Sequence, residues 1–539
     1  MEKMFCNQCE QTAKGTGCTV CGVCTKEPIV SNTMDVLIYA LRMNALIALK
    51  AKKNGIKVDN EYHVLTCSAL FSTLTNVNFS EKDISHFVEQ VFIQRKKLME
   101  KLPKSELNGV EDVEDVAHYI ETHMSDKRPN KWTDNQDIQS LMQTIVFGLK
   151  GICAYACHAH LLKKDNVQIF EFIQVALAAG YDGKERTLED WIHLTLEVGK
   201  WSLETMKLLD EANNTLGHPE PTEVLIGHKA GKCILVTGHD LHDLDLLLKQ
   251  TEGKGINVYT HGEMLPAHGY PLLKKYKHLV GHFGTAWQNQ QKEFPTFPGA
   301  ILFTTNCLMK PLPSYKDRVF TTNEVGFNGL VHIGNDKDFT PVIQKALEME
   351  GFIDDLKEDT VTTGFSHHAI LEEKTANKLV SLIKEGKIKN IFVVGGCDGA
   401  KAGRNYYTEL VQKIPKDSII LTCACGKFRF FREKLGDIEG IPRLLDLGQC
   451  NDSYSAIVVA LKLAEIFKCE VNELPLHLIL SWYEQKAVAV LLALLYLGIK
   501  NIRIGPTAPA FLTPGVFKYL HDNLNLMMTT TPDNDLANL

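Results

Sequence analysis

The sequence predicts an α + α/β multidomain chain, with an N-terminal helical bundle domain followed by two doubly wound parallel-sheet domains. Three observations predict it. Between about residues 32 and 215, apolar residues recur at three- and four-residue spacing, the period of a helix face. From Lys232 onward, short β-branched runs alternate with helical segments, as in strands joined by crossover helices. A chain of 539 residues also exceeds the size at which one hydrophobic core keeps growing, so two to four domains are expected.

The helical region contains four strongly periodic stretches, 32–53, 80–102, 134–164 and 186–212. Asn32, Ser80 and Thr133 with Asp134 are candidate N-caps, because their side-chain oxygens can accept from the unpaired N–H groups of a first turn. Ahead of them, MFCNQCEQTAKGTGCTVCGVCTK from Met4 to Lys26 reads as an irregular attachment. The pattern changes after HPEPTEV at 218–224, where KCILVTG, INVYTHG and AILFTTN follow. Beyond a charged stretch near 354–374 come IFVVGG, SIILTCA, RLLDLG and LHLILSW. Domains are therefore expected at 1–222, 223–372 and 373–539. The apolar run AVAVLLALLYLGI at 487–499 is too short to span a bilayer and reads as a buried helix.

Composition narrows the function classes. The 58 basic and 65 acidic residues give a formal net charge of −7, and no basic block follows a phosphate backbone, which argues against a nucleic-acid partner. MEKMFCNQCEQ has no apolar segment before the first cysteines, so a soluble cytoplasmic protein without a membrane partner is expected. The 15 cysteines are too sparse for a small disulfide scaffold, and cytosolic thiols stay reduced. Clustered reduced thiols point to metal.

In open parallel sheets, ligands bind beyond the carboxyl ends of the strands. The residues there are His239, Glu263, Cys307, Cys397, Cys425, Cys450 and Glu484. Each alone is an ordinary turn residue or buried thiol, but together they indicate one metal centre between two domains. Thiolates suit iron–sulfur chemistry and carboxylates suit oxygen-bound iron, so the mixture implies a cluster with both. A carboxylate-bound iron can also exchange a ligand and open a position for substrate.

Other candidates carry blander readings. Cys423 and Cys425 flank Ala424, and strand alternation points both to one face, so spacing does not choose between them. In GICAYACHAH, Cys153 and Cys157 lie one helical turn apart, with His158 and His160 behind; a long apolar helix makes them buried small residues rather than ligands. Cys67, Cys233 and Cys469 read as core thiols. His242, His261 and His268 fit supporting donors or buried histidines, with His261 a candidate proton donor. GGCDGA lacks the GxGxxG spacing, so no nucleotide cofactor is expected. Of the five N-terminal cysteines, four would serve a tetrahedral metal or cubane, and spacing leaves Cys21 and Cys24 as alternatives.

The N-terminal cysteine stretch is followed in order by VTGHD, HGEMLPAHGY, TTNCL, GGCDGA, CACGKFRFF, DLGQCND and SWYEQKAV. With these motifs the sequence resembles, over essentially its whole length, the hybrid cluster proteins, also called hydroxylamine reductases or prismanes. The resemblance implies a helical domain and two Rossmann-like domains, an architecture shared with the nickel-iron carbon monoxide dehydrogenases. It implies a [4Fe-4S] cubane on Cys6, Cys9, Cys18 and Cys24, with Cys21 spare. It further implies a hybrid [4Fe-2O-2S] cluster on His239, Glu263, Cys307, Cys397, Cys425, Cys450 and Glu484, which selects Cys425 over Cys423. Cys397 would carry a persulfide, Lys486 would lie beside the cluster, and Cys423 would tune it as a neighbour.

The activity so implied is reduction of a small nitrogen oxide compound, with hydroxylamine going to ammonia and water. Electrons would come from a separate redox protein through the cubane, and Cys397, Glu484 and Lys486 would act at the reacting centre. The nearest alternative is reduction of nitric oxide to nitrous oxide. A non-catalytic nitrosative-stress sensor or protein S-nitrosylation factor is an alternative of another class. The glutamates of an iron–oxygen site argue against carbon monoxide oxidation.

Overall fold

The computed structural model describes residues 3–107, 110, 113–124 and 133–539. Seven α-helices come first: α1 (Pro28–Lys53), α2 (Asn60–Ser72), α3 (Glu81–Met99), α4 (Val116–Met124), α5 (Gln136–Leu161), α6 (Val167–Ala178) and α7 (Leu188–Asn213). Local chemistry sets their starts. Ser80 caps α3 by accepting from the Asp83 N–H at 3.3 Å, and Thr187 with Asp190 forms a capping box on α7.

Two expected caps are corrected. Helix α1 starts earlier, at Pro28, whose fixed φ suits a first helical position; Asn32 therefore lies inside the helix and donates to the Lys3 carbonyl at 3.1 Å. Helix α5 is capped by Asn135, whose side-chain carbonyl accepts from both Asp137 N and Ile138 N, rather than by Thr133 or Asp134. Helix α5 is the one described helix long and apolar enough to cross a membrane, and 94% of its apolar window is buried inside the protein.

The first sheet comprises β1 (Thr222–His228), β2 (Lys232–Thr237), β3 (Ile256–His261), β4 (Leu279–His282), β5 (Ala300–Phe303), β6 (Val319–Thr322), β7 (Val331–Ile333) and β8 (Leu356–Thr363). Its order is β7-β6-β5-β2-β3-β4-β1-β8. Every pairing is parallel except β1 with β8. Strand β8 occupies part of the charged stretch expected to link two domains. Of its side chains only Val361 and Thr363 are buried, so a wet edge strand gave no apolar signal.

The second sheet comprises β9 (Asn390–Gly396), β10 (Ser418–Cys423), β11 (Leu444–Gly448), β12 (Leu476–Ser481), β13 (Arg503–Gly505) and β14 (Met527–Met528). It runs β11-β10-β9-β12-β13-β14, parallel throughout. Loops at the carboxyl ends of the two sheets meet, because the Gln449 amide after β11 donates to the His239 and Glu263 carbonyls after β2 and β3, at 2.9 and 2.8 Å.

The apolar run near the C-terminus forms the helix Gln485–Tyr496, which packs against α5 and α7. Close approach depends on missing side chains. A Cβ on Gly151 would meet Ala489 and the Gln485 carbonyl, and one on Gly199 would strike the Leu492 carbonyl. Absence of those atoms fixes the start of this helix against α5.

Candidate metal centre

The seven strand-end residues come from separate elements: His239 after β2, Glu263 after β3, Cys307 after β5, Cys397 after β9, Cys425 after β10, Cys450 after β11 and Glu484 after β12. Their side chains converge in one pocket. None is more than 6% exposed. Glu263 Oε2 lies 3.2 Å from His239 Nε2 and accepts from Cys450 N at 2.7 Å. Its Oε1 accepts from the Cys425 thiol at 3.1 Å. Cys397 faces Glu484, Cys307, Glu263 and Cys450, which closes the ring.

Lys486 is the ammonium in this pocket. Its Nζ lies 3.2 Å from His239 Nε2, donates to Asn306 Oδ1 at 3.1 Å, and lies 4.0 Å from Glu484 Oε1. Burial by itself disfavours the charge, but Cys450, Glu484, Cys307 and Glu263 outweigh it and hold the ammonium above its ordinary range. Burial similarly opposes the Glu263 carboxylate, yet His239 and Lys486 keep it well below the usual carboxylate range. Glu484 goes the other way: burial pushes its carboxyl up, only partly offset by Lys486. Glu484 also caps its helix, accepting from Lys486 N at 2.9 Å. Two adjacent carboxyls thus differ in proton affinity because one has the imidazole and the other lacks it.

The competing residues separate clearly. Strand β10 ends at Cys423, and Ala424 takes φ +63°, which breaks the alternation that would put Cys423 and Cys425 on one face. Cys425 turns to Glu263, while Cys423 Sγ sits 3.5 Å from Ser453 Oγ. His261 has Nδ1 3.0 Å from Thr237 Oγ1 and Nε2 3.1 Å from Glu293 Oε2, so neither nitrogen is free for the proton-donor role considered for it. His242 faces Asp243, and His268 is buried beside Thr260. Cys153, Cys157, Cys67 and Cys233 are buried, whereas Cys469 is partly exposed, contrary to the core-thiol expectation. His160 pairs with Asp165 at 2.9 Å near the surface.

At the N-terminus, Cys6 and Cys18 face each other across an antiparallel bridge, with N–H···O distances of 3.1 and 2.8 Å. Cys9 lies close to Cys24, Cys6 and Cys18; burial and these neighbours push its thiol up. Burial pushes Cys6 up to about 12. Cys21 is exposed and donates to the Lys26 carbonyl at 3.4 Å. The structure thus gathers four of the five thiols and leaves Cys21 outside.

Residues that carried no sequence signal join the two groups. Glu10 N donates to the Tyr483 carbonyl at 2.9 Å. Arg404 Nη2 donates to Glu10 Oε2 and Nη1 to Asp398 Oδ1, both at 2.7 Å and fully buried. Gln485 Nε2 donates to the Gln8 carbonyl at 2.6 Å. Tyr483 is buried near Cys9 and Cys24 of the first group and Cys307 and Cys397 of the second, and its ring lies 4.7 Å from that of Trp287.

Four thiols, two carboxyl groups and an imidazole around a single ammonium are a crowded, desolvated set of donors. The Cys397 and Cys450 thiols are pushed up, first by burial and then by nearby carboxylates. The Cys425 thiol is pushed up first by the hydrogen bond it shares with Cys307. Positive charge relieves that crowding, and the mixture of soft and hard donors fits iron with both sulfur and oxygen partners.

The sequence pattern of the Prismane/CO dehydrogenase family matches residues 4–537. A hydroxylamine reductase of Solidesulfovibrio magneticus is 53% identical over 538 residues, covering 99% of each chain. One of Thermodesulfovibrio yellowstonii is 52% identical, covering 99% of this chain and 100% of the other. Among solved structures, carbon monoxide dehydrogenase IV from Carboxydothermus hydrogenoformans superposes with a TM-score of 0.56 at 15% identity, covering 96% of this chain and 88% of that one. At that identity the likeness speaks for the fold alone.

Proposed function

The chain belongs to the Prismane/CO dehydrogenase family, and from that premise we propose that it is a hydroxylamine reductase. The reaction takes NH2OH, two electrons and two protons to ammonia and water. The observation that carries the reading is the buried seven-donor pocket, with Glu484 and Lys486 at one edge on the start of a single helix.

In this reading, Cys6, Cys9, Cys18 and Cys24 hold a [4Fe-4S] cubane that receives electrons from a separate redox protein. His239, Glu263, Cys307, Cys397, Cys425, Cys450 and Glu484 hold a hybrid [4Fe-2O-2S] cluster, with a persulfide on Cys397. The chain divides into domains 1–222, 223–372 and 373–539 and works in the cytoplasm, where thiols stay reduced. When bound, the hybrid cluster supplies electrons and a Lewis-acidic iron that polarises the nitrogen–oxygen bond.

The chain's own groups then do three things. Lys486 keeps its proton and presents a fixed positive charge where negative charge develops on the departing oxygen. Glu484, with its raised proton affinity, holds a proton 4.0 Å from that ammonium and gives one of the two protons consumed, the second coming from solvent. A largely apolar cavity of ≈ 110 Å³, lined in part by Cys397, Cys450, Ala487 and Leu491, abuts the pocket and favours a small neutral substrate over bulk water.

Replacing Glu484 by Gln removes the proton and keeps the shape. Turnover of hydroxylamine is expected to fall by about 100-fold or more, while the electron paramagnetic resonance signal of the N-terminal cluster persists. Unchanged turnover contradicts the assigned role.

A further inference from the structure

A second group of donors lies apart from the pocket, where α7, the segment before β1 and the turn after β8 meet. His367 Nδ1 is 3.8 Å from Asp210 Oδ1. The donor atoms of Asp210, His367 and His368 all lie within 4.8 Å of one another. His218 and His367 both press on the His368 ring, with centroids 3.7 and 4.0 Å away. Nothing in the proposed reaction uses these four residues.

Their surroundings suit metal ligands. Imidazoles at this spacing repel one another if charged; burial and the neighbouring histidines bring His367 down to about 4 and also lower His368, so the lone pairs of these two rings are available. Asp210 has Asn214 Nδ2 at 3.0 Å, but no lysine or arginine ion-pairs with it among the described residues. The His367 and Asp210 side chains are 12% and 13% exposed, which screens them from bulk water while leaving a way in.

We propose that Asp210, His367 and His368 form a binding site for a divalent transition metal of the zinc type, with solvent in the fourth position. Imidazole nitrogen with one carboxylate oxygen suits zinc, whereas calcium and magnesium call for oxygen donors and iron–sulfur clusters for thiolates. A tetrahedral ion bound at about 2.1 Å needs donors about 3.4 Å apart, so the 3.8 Å gap closes with a small side-chain rotation. A bound ion takes the His367 lone pair that lies 3.0 Å from the Ser455 hydroxyl. His368 Nε2, now 3.0 Å from the Asn214 amide, turns from that amide to the ion. The site then clamps α7 to the segment between the two sheets.

The test uses the cluster-loaded full chain, incubated anaerobically with zinc chloride and desalted, with zinc counted by mass spectrometry. Asp210→Asn and His368→Gln variants are treated in parallel, with cluster absorbance as the control for folding. One zinc per wild-type chain is expected, with at least tenfold weaker retention in both variants and a zinc-dependent rise in melting temperature in the wild type alone. Equal zinc in wild type and variants, or none in the wild type, overturns the proposal. Should the variants fail to fold, anomalous scattering at the zinc edge from wild-type crystals decides: a peak between Asp210, His367 and His368 supports the site, and its absence overturns it.

Discussion

His268 shows how burial at one residue sets a pH limit for the protein. Its Nε2 lies 3.0 Å from Thr260 Oγ1, a hydroxyl that also lies 3.0 Å from His282 Nδ1. Burial brings His268 down to about 4 from an ordinary 6.5. Between these values the unfolded chain binds a proton that the folded one refuses, so the stability contribution is complete above pH 6.5 and is lost as pH falls toward 4. The full span is worth about 3 kcal/mol. His158 and His282, also lowered by burial, act in the same direction. In guanidinium unfolding, His268→Gln is expected to shrink the loss of stability between pH 7 and pH 5 by about 2 kcal/mol; an unchanged loss contradicts this. Such effects are illegible in sequence, since His261 and His268 look alike until the structure gives one a carboxylate and the other a hydroxyl. Cys423 and Cys425 are similar: only the positive φ of Ala424 separates them.

At the scale of elements, legibility followed burial. The strands at 232–237, 256–261, 300–303, 390–396, 418–423, 444–448 and 476–481 are buried on both faces and so read as apolar runs. Strands β7, β13 and β14 are two or three residues long, too short for any period, and β8 is polar because it faces water. The Gln485–Tyr496 helix was legible as buried, but its partners were not, because helix contacts rest on glycines far away in sequence. Gly151→Ala is expected to cost about 1–3 kcal/mol of stability and to lower turnover as well, since it displaces Gln485 and Lys486. Gly199→Ala presses on Leu492, farther along the same helix, and is expected to lower the melting temperature with less effect on turnover. Thermal melts and rates of the two variants check this; wild-type turnover in Gly151→Ala contradicts it.

For the whole molecule, the strand-end rule of parallel sheets was enough to name seven side chains that lie in one pocket. The rule could not reveal what holds the N-terminal loop in place. Glu10 meets Arg404 across 394 residues, and Gln485 meets Gln8 across 477; pairs that distant leave no local pattern. Those buried bonds dock one group of thiols near the other, and the proposed function puts an iron centre in each, one at the N-terminal loop and one where the sheets meet. Anomalous scattering at the iron edge from anaerobic crystals tests it directly. Two separate centres of four irons each are expected, one among Cys6, Cys9, Cys18 and Cys24 and one among the seven strand-end residues. A single centre, or iron absent from the strand-end pocket, would contradict it.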